Sequence, residues 1–353
     1  MDSKYFFTLA DLGTSQSLIT ALWGQGLEGL VDDIAAAKYR HYYIDNPAGS
    51  GVCLLLHDRA SGEGIGVQGL IPRAFYDGDR RVDVATLADF VVAPAHRSLG
   101  PALKLMRTCI ASSKERFAFV YGTPNEKSGV ILKRAGLRAL GNLTRYTKVI
   151  RSESFWRARL PGWLVPPVAA AVDAMIACAD IGRGWLYGRN WQWSQQTSFG
   201  PELEKIWQGR DMDTITGERL PSVLQWRYSS RDPASPWRLS LATDSSKAPL
   251  GYVVWRQRNG IAMVSDFFCS GTDRSARALL QSFASYVRRF PVHRVSLEFF
   301  GRTSVVAALA ACGFVAREQS PIVVIEHTDD QLHVRRVSPN AVFMTSFDRD
   351  HED

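Results

Sequence analysis

The sequence has no Cys-x-x-Cys pair, and no two of its seven histidines stand at metal-ligand spacing, so it offers nothing that would build a metal site. Its five cysteines, Cys53, Cys109, Cys178, Cys269 and Cys312, are odd in number, widely spaced and mostly flanked by apolar residues. That pattern predicts reduced, buried thiols rather than a disulfide framework. There is no block of like charge and no biased repeat, which excludes a long disordered arm. The 42 Lys and Arg give a net charge of +7 but are spread along the chain. With no helix-turn-helix, zinc-ligand or RNA-binding signature, nucleic acid is not an expected partner, whereas a ligand carrying several phosphates suits the charge. The first residues lack a basic region followed by an apolar run, so export is not expected and the cytoplasm is the expected compartment. The stretch from Leu160 to Ala179 is interrupted by Pro161, Pro166, Pro167 and Asp173. It falls short of the ~20 apolar residues of a span, so it reads as a linker plus helix and no transmembrane segment is expected.

What is present is a chain of 353 residues, 46% hydrophobic, long enough for a large core and for two domains. The two halves echo each other in order. Ala21-Leu-Trp23, Lys38-Tyr-Arg-His-Tyr42, Asn46-Pro47, Gly64-Ile-Gly66, Ala88-Asp-Phe-Val-Val92 and Ala135-Gly-Leu137 in the first are matched in the second. Their counterparts are Lys205-Ile-Trp207, Gln225-Trp-Arg-Tyr228, Asp232-Pro233, Leu250-Gly251, Ser265-Asp-Phe-Phe-Cys269 and Cys312-Gly-Phe314. Pro47 to Gly66 spans 19 positions and Pro233 to Gly251 spans 18. A unit at 1–150, a linker helix with an aromatic seam at 151–200, and a second unit at 201–353 are therefore expected.

Local patterns agree. Gly51 to His57 and Gly64 to Ile71 read as a hairpin and Val84 to Val92 as a third strand. Pro101 to Ser113 reads as a helix begun by proline. Phe117 to Gly122 is a strand, Ser128 to Ala135 a helix ended by Gly136, and Gly141 to Ile150 a strand. Trp237–Ala242, Leu250–Arg256 and Ile261–Cys269, a helix from Arg274 to Arg289, His293–Phe299, a helix from Thr303 to Ala311, and Pro321–Glu326 repeat the order. The fold class is α/β, an α+β mixed sheet made twice. Trp156, Trp163, Trp185, Trp191 and Trp193, interleaved with Arg151, Arg157, Arg159, Arg183 and Arg189, are expected to pack the seam between the units.

One segment carries chemistry. Arg97-Ser-Leu-Gly100-Pro-Ala102 lies where a strand runs into a helix, and the first N–H groups of a helix have no partners within it. Gly100 lets a phosphate approach the backbone, Ala102 keeps the next turn small, and Arg97 supplies charge. Val92-Ala-Pro94-Ala-His-Arg97-Ser-Leu-Gly100-Pro-Ala102 resembles the pyrophosphate loop of the GNAT (GCN5-related N-acetyltransferase) superfamily. Asn125-Glu-Lys-Ser128, followed by a helix and Ala135-Gly136-Leu137, resembles that family's second element. The resemblance covers residues 38 to 150 and implies tandem GNAT-like domains with the second degenerate, since Cys269-Ser-Gly-Thr-Asp-Arg274-Ser-Ala-Arg277-Ala278 has no glycine at the required place.

The resemblance further implies acetyl-CoA or another acyl-CoA as co-substrate. Phe90, Val91, Val92, Arg97, Ser98, Leu99, Gly100, Ala102, Leu103, Asn125 and Ser128 would contact it, and a small amine would accept the acyl group. Acyl transfer needs a base and an acid. Asp89 is the candidate base; Tyr121 and Tyr146 are candidate acids, and His41 and His96 are the nearest histidines. Two departures stand out: Pro101 has no N–H to donate, and Leu132 stands where many family members place a tyrosine. A FemAB-like aminoacyl transferase and a non-catalytic acyl-CoA-binding scaffold are the alternatives.

Overall fold

Side chains alternate between two faces along the strands, and the computed structural model, which describes residues 4–27, 30–187, 191–229, 235–271, 273–327 and 335–350, shows what each face covers. In chain order the first elements are β1 (Tyr5–Leu9), α1 (Gln16–Gly26), α2 (Asp32–Tyr39), a π-helical turn (Arg40–Ile44), β2 (Val52–Asp58), β3 (Gly64–Asp77) and β4 (Arg80–Val92). Then come α3 (Leu99–Ser113), β5 (Phe119–Gly122), α4 (Glu126–Ala135), β6 (Arg138–Val149), α5 (Glu153–Trp156), α6 (Val165–Tyr187) and β7 (Gln192–Gln196). The remainder comprises α7 (Pro201–Gln208), β8 (Ile215–Gly217), α8 (Pro221–Arg227), β9 (Arg238–Thr243), β10 (Pro249–Arg258), β11 (Ile261–Cys269), α9 (Asp273–Tyr286), β12 (Arg294–Gly301), α10 (Thr303–Ala311), β13 (Val315–Glu326) and β14 (Val342–Thr345). The expected order of hairpin, strand, helix, strand, helix, strand thus occurs twice. The echoed Asp232-Pro233, Arg189 and the Trp185 side chain lie outside the described residues.

In the first half Leu54, Leu56 and Leu87 face α3, packing on Leu105, Met106, Cys109 and Ile110. The alternate residues Cys53, Leu55, Val67, Ala88 and Val91 face α1 and α2, where Ile19, Leu22, Trp23, Tyr39 and Tyr43 cover them. The second half repeats this arrangement. Val253, Trp255 and Phe267 pack on Leu279, Leu280 and Phe283 of α9, whereas Tyr252, Val254 and Phe268 pack on Leu203, Ile206, Trp207 and Leu224 of α7 and α8.

The strands join one 14-stranded sheet, in the order β1-β2-β3-β4-β5-β13-β6-β12-β11-β10-β9-β7, with β8 and β14 off this path: β14 pairs with β12 and β8, and β8 also with β3. The last strands of the two halves are exchanged: β13 lies against β5, through Val324↔Tyr121, while β6 lies against β12, through Tyr146↔Leu297. Leu140 and Leu143 of β6, Ile322 and Val324 of β13, Phe119 and Tyr121 of β5 and Phe300 of β12 form one shared core cluster. The close approach of β6 to Phe300 depends on Gly141, where a Cβ would stand 2.3 Å from the ring. A boundary at residue 150 therefore divides the sequence but not the core.

Three expectations need correction. The strand expected to end at Ile71 continues to Asp77 and returns as β4 from Arg80, through a turn in which Gly78 has φ +63°. The helix in the linker is longer than expected: Val165–Gly184 is long and apolar enough to cross a membrane by length and composition. Pro166 and Pro167 fall in its first turn, where a missing N–H costs nothing. The aromatic seam does not form as one patch. Trp193 stacks on Tyr286 of the second half at 5.2 Å, Trp191 packs on the same core, and Trp163 is 76% exposed.

Candidate functional site

The parallel strands β4 and β5 pair only at Ala85↔Val120 and Thr86↔Tyr121, then part. At the parting β4 carries a bulge: the ladder to β3 jumps from Gly69↔Ala88 to Val67↔Val91, leaving Asp89 and Phe90 opposite Gln68. Asp89 adopts φ +56°, the left-handed region that a β-bulge can demand. The buried Gln68 amide fills the gap, its Nε2 donating to the carbonyls of Ala88 at 2.9 Å and Gly69 at 2.7 Å.

The Asp89 carboxylate turns toward the α1/α2 layer, where its side chain is 5% exposed. It pairs with Lys38 Nζ and accepts a hydrogen bond from the Tyr43 hydroxyl at 2.8 Å. Burial, and then Asp89 itself, push the Tyr43 pKa well above its ordinary value, so the phenol stays a donor. The contact requires glycine at position 69, where a Cβ would lie 1.9 Å from the Tyr43 hydroxyl oxygen.

The matching aspartate of the second half sits in the same way. The β10–β11 register shifts beside Asp266, which accepts from Tyr252 at 2.7 Å and pairs with Arg219 at 3.1 Å. Each bulge thus presents an aspartate to one cation and one tyrosine, supplied in the first half by α2 and the π-helical turn and in the second by the stretch before α8 and by β10. The word Asp-Phe shared by the two halves was the sequence trace of this; the partners were invisible because they come from other elements.

Tyr121, at the end of β5, is 2% exposed and donates to the carbonyl of Asp348 at 2.6 Å. Burial raises its pKa, keeping the proton on the phenol. Tyr146 is not brought to Asp89 and Tyr121. It lies on β6, beyond the inserted β13, in the core of the second half. His41 stacks on Trp226 with centroids 4.7 Å apart, and its pKa is lowered to about 4 by burial and then by Arg227 and Arg73. His96 lies 3.9 Å from Asp58.

The loop leaving β4 reaches α3 through Ser98, whose extended backbone (φ −140°) starts the helix without a side-chain cap bond. Arg97 donates to the carbonyls of Val92 at 3.0 Å and Gln25 at 3.1 Å, tying the end of β4 to the end of α1 while its side chain stays exposed. Leu99 is exposed, and a Cβ on Gly100 would meet nothing within 4 Å. Packing therefore does not require this glycine. Ala102 is buried and Leu103 half-buried; Val91 packs toward α1, and Phe90 and Val92 toward α3. Asn125 caps α4, its Oδ1 accepting from Ser128 N at 2.9 Å and from the Ser128 hydroxyl at 3.0 Å. Leu132 is buried in the α3 core, on the face of α4 away from solvent.

The sequence patterns did not reveal the part played by residues 342–350. β14 runs antiparallel to β12 through Phe299↔Thr345, and the turn after it crosses to the first half. There Asp348 meets Tyr121, the carbonyl of Arg349 accepts from Arg73 at 2.9 Å and Arg227 at 3.2 Å, and the Asp350 carboxylate accepts from Thr123 at 3.3 Å. Open space of about 280 Å³ borders this turn, lined by Asn46, Arg73, Glu218, Trp226, Phe347 and Asp348 among others. About 520 Å³ opens at the equivalent fork of the second half, between Phe267–Cys269 of β11 and Arg302 after β12. No group of three or more metal-ligating side chains occurs among the described residues.

Solved structures similar to this chain share its overall fold. A GCN5-related N-acetyltransferase from Anabaena variabilis superposes with a TM-score of 0.64 at 15% identity, over 92% of this chain and 73% of that one. A conserved protein from Enterococcus faecalis gives 0.64 at 11%, over the same shares. A GCN5-related N-acetyltransferase from Kribbella flavida gives 0.59 at 16%, over 91% and 71%. No family model matches the sequence, and no curated protein does. The chain has the fold of the GCN5-related N-acetyltransferases; at these identities the likeness is one of fold.

Proposed function

We propose that the chain is an acyl-CoA-dependent N-acyltransferase in which the first of two tandem units grips the cofactor. Gly100 carries the proposal. It stands in the first turn of α3, at the mouth of the β4/β5 fork, with nothing within 4 Å of where its Cβ would be. A glycine unneeded for packing, beside exposed main-chain donors and Arg97, suits a pyrophosphate. The likeness of fold and the net charge of +7 support the same ligand.

Bound acyl-CoA would supply the thioester; the acceptor amine attacks its carbonyl carbon, the C–S bond breaks and the CoA thiolate departs, while the proton lost by the amine passes to water, which restores the one that the acid gives to the thiolate. The bulge at Asp89–Phe90 takes main-chain groups of β4 out of the ladder, where they can polarise the carbonyl. Tyr121 keeps its proton and stands at the fork, so it is the candidate acid, provided its bond to Asp348 is exchanged for one to the leaving sulfur. Asp89 has both carboxylate oxygens engaged by Lys38 and Tyr43, which suits holding the bulge better than accepting a proton. The second unit, lacking the loop glycine, shapes the acceptor side through residues 342–350.

Thermal shift with acetyl-CoA, longer acyl-CoAs and CoA, on the wild type and on Gly100→Glu, tests the grip. Stabilisation of the wild type that is lost in the variant is expected; no shift with any CoA overturns it. Release of CoA in the presence of an amine library then tests turnover.

A further inference from the structure

Helix α6 presents an outer face that the core does not explain. Its inner face is anchored by charge: Asp180, 2% exposed, binds Lys148 at 2.7 Å and Arg288 at 2.8 Å. Gln281 of α9 donates to the Asp180 carbonyl at 3.0 Å, and Asp173 accepts from the Ser152 N–H at 2.6 Å. Both acids of the helix are thereby turned to the protein. Between residues 161 and 182 no exposed residue is charged. Trp163 is 76% exposed, Met175 66% and Ile181 69%, with Ala170, Ala174 and Cys178 exposed among them. Of the apolar window Val165–Gly184, only 17% is buried.

The segment entering the helix adds the features of a lipid headgroup boundary. Phe155 is 50% exposed with the Arg159 guanidinium 3.7 Å from its ring centroid, and Arg157, paired with the exposed Glu153 at 2.8 Å, stands beside them, leaving the segment with a net positive charge. Trp163 stands where basic residues give way to the apolar face, the amphipathic position tryptophan takes at membrane interfaces. A helix of this length is about 35 Å long and about 10 Å across, so its outer stripe covers roughly 350 Å². That is under half of the ~800 Å² that each partner buries in a stable protein interface. The stripe alone is too small for a second copy, whereas a lipid surface needs no matching patch.

We propose that α6 and the segment before it dock the protein flat on an anionic lipid surface, the apolar face entering the headgroup boundary and Arg157 and Arg159 meeting acidic headgroups. The helix lies on the bilayer rather than crossing it, because leaving the protein would strip Asp180 from Lys148 and Arg288. Docking is independent of acyl transfer.

The test is co-sedimentation of the full chain with phosphatidylcholine vesicles, with and without phosphatidylserine, for the wild type, Met175→Glu/Ile181→Glu and Arg157→Ala/Arg159→Ala. These side chains are exposed, so an unchanged circular dichroism melt confirms that each variant folds. Binding to the phosphatidylserine vesicles that weakens with salt, and falls at least about tenfold in both variants, is the expected result. The proposal is overturned by failure of the wild type to sediment with either vesicle, by binding that both variants retain, or by a light-scattering dimer that Met175→Glu/Ile181→Glu dissolves.

Discussion

The Tyr121 hydroxyl donates to the main-chain carbonyl of Asp348 at 2.6 Å, joining residues 227 positions apart at the point where β4 and β5 part. Through this bond residues 342–350 close one side of the fork. Tyr121→Phe removes the donor and leaves a buried carbonyl unpaired, so stability should fall by about 1–2 kcal/mol in urea denaturation. If Tyr121 delivers the proton to the leaving thiolate, kcat for CoA release falls by roughly 10²–10⁴-fold with KM little changed. A loss of stability at unchanged kcat assigns the hydroxyl to closing the fork alone.

Asp89→Asn keeps the volume of the side chain and removes the counter-ion of Lys38. An anchoring role predicts a loss of about 1–3 kcal/mol from urea denaturation, with rescue of neither stability nor rate at higher pH. An unchanged denaturation midpoint with activity abolished would return Asp89 to the role of base.

Arg219 pairs with two buried carboxylates, Asp266 at 3.1 Å and Asp348 at 2.8 Å, and all three side chains are at most 2% exposed. Arg219→Ala leaves both charges without that partner, and a loss of roughly 3–5 kcal/mol is expected. Because Asp348 belongs to the turn that meets Tyr121, limited proteolysis should also cut the C-terminal segment faster in the variant.

His41 is stabilised as the neutral ring: its pKa drops from 6.5 to about 4 through burial and the nearby Arg227 and Arg73. A depressed folded pKa means that the unfolded chain binds the extra proton between pH 4 and pH 6.5. Stability is therefore fully present above pH 6.5 and lost as the pH falls toward 4, by up to roughly 3 kcal/mol. His293 and His327 are shifted down by burial too and act in the same sense. Urea midpoints measured across this window should rise with pH, and His41→Gln should flatten the rise.

Much of the architecture was written in local patterns. The alternation through Cys53-Leu-Leu-Leu56 and Tyr252-Val-Val-Trp255 follows from the two-residue period of a strand between two helical layers. Gly136, at φ +104°, ends α4 because an αL cap favours a residue without Cβ. Gly100 and the start of α3 were legible for the same reason: they depend on neighbours a few positions away.

Other features needed the folded chain. Neither the exchange of β6 and β13 nor the pairing of Asp89 with Lys38 and Tyr43 has a local signature, since each partner is supplied by a distant element. The outward apolar face of α6 is of this kind too. Composition showed an apolar helix, but which side met the protein was set by Asp180 finding Lys148 and Arg288. The sequence by itself determined the elements, the repeated order and the glycine at the mouth of the fork, because each is decided within one or two turns or strands. Tertiary structure decided which charges are spent on holding the fold and which remain for a ligand, because a buried charge takes its partner from whatever element packs beside it.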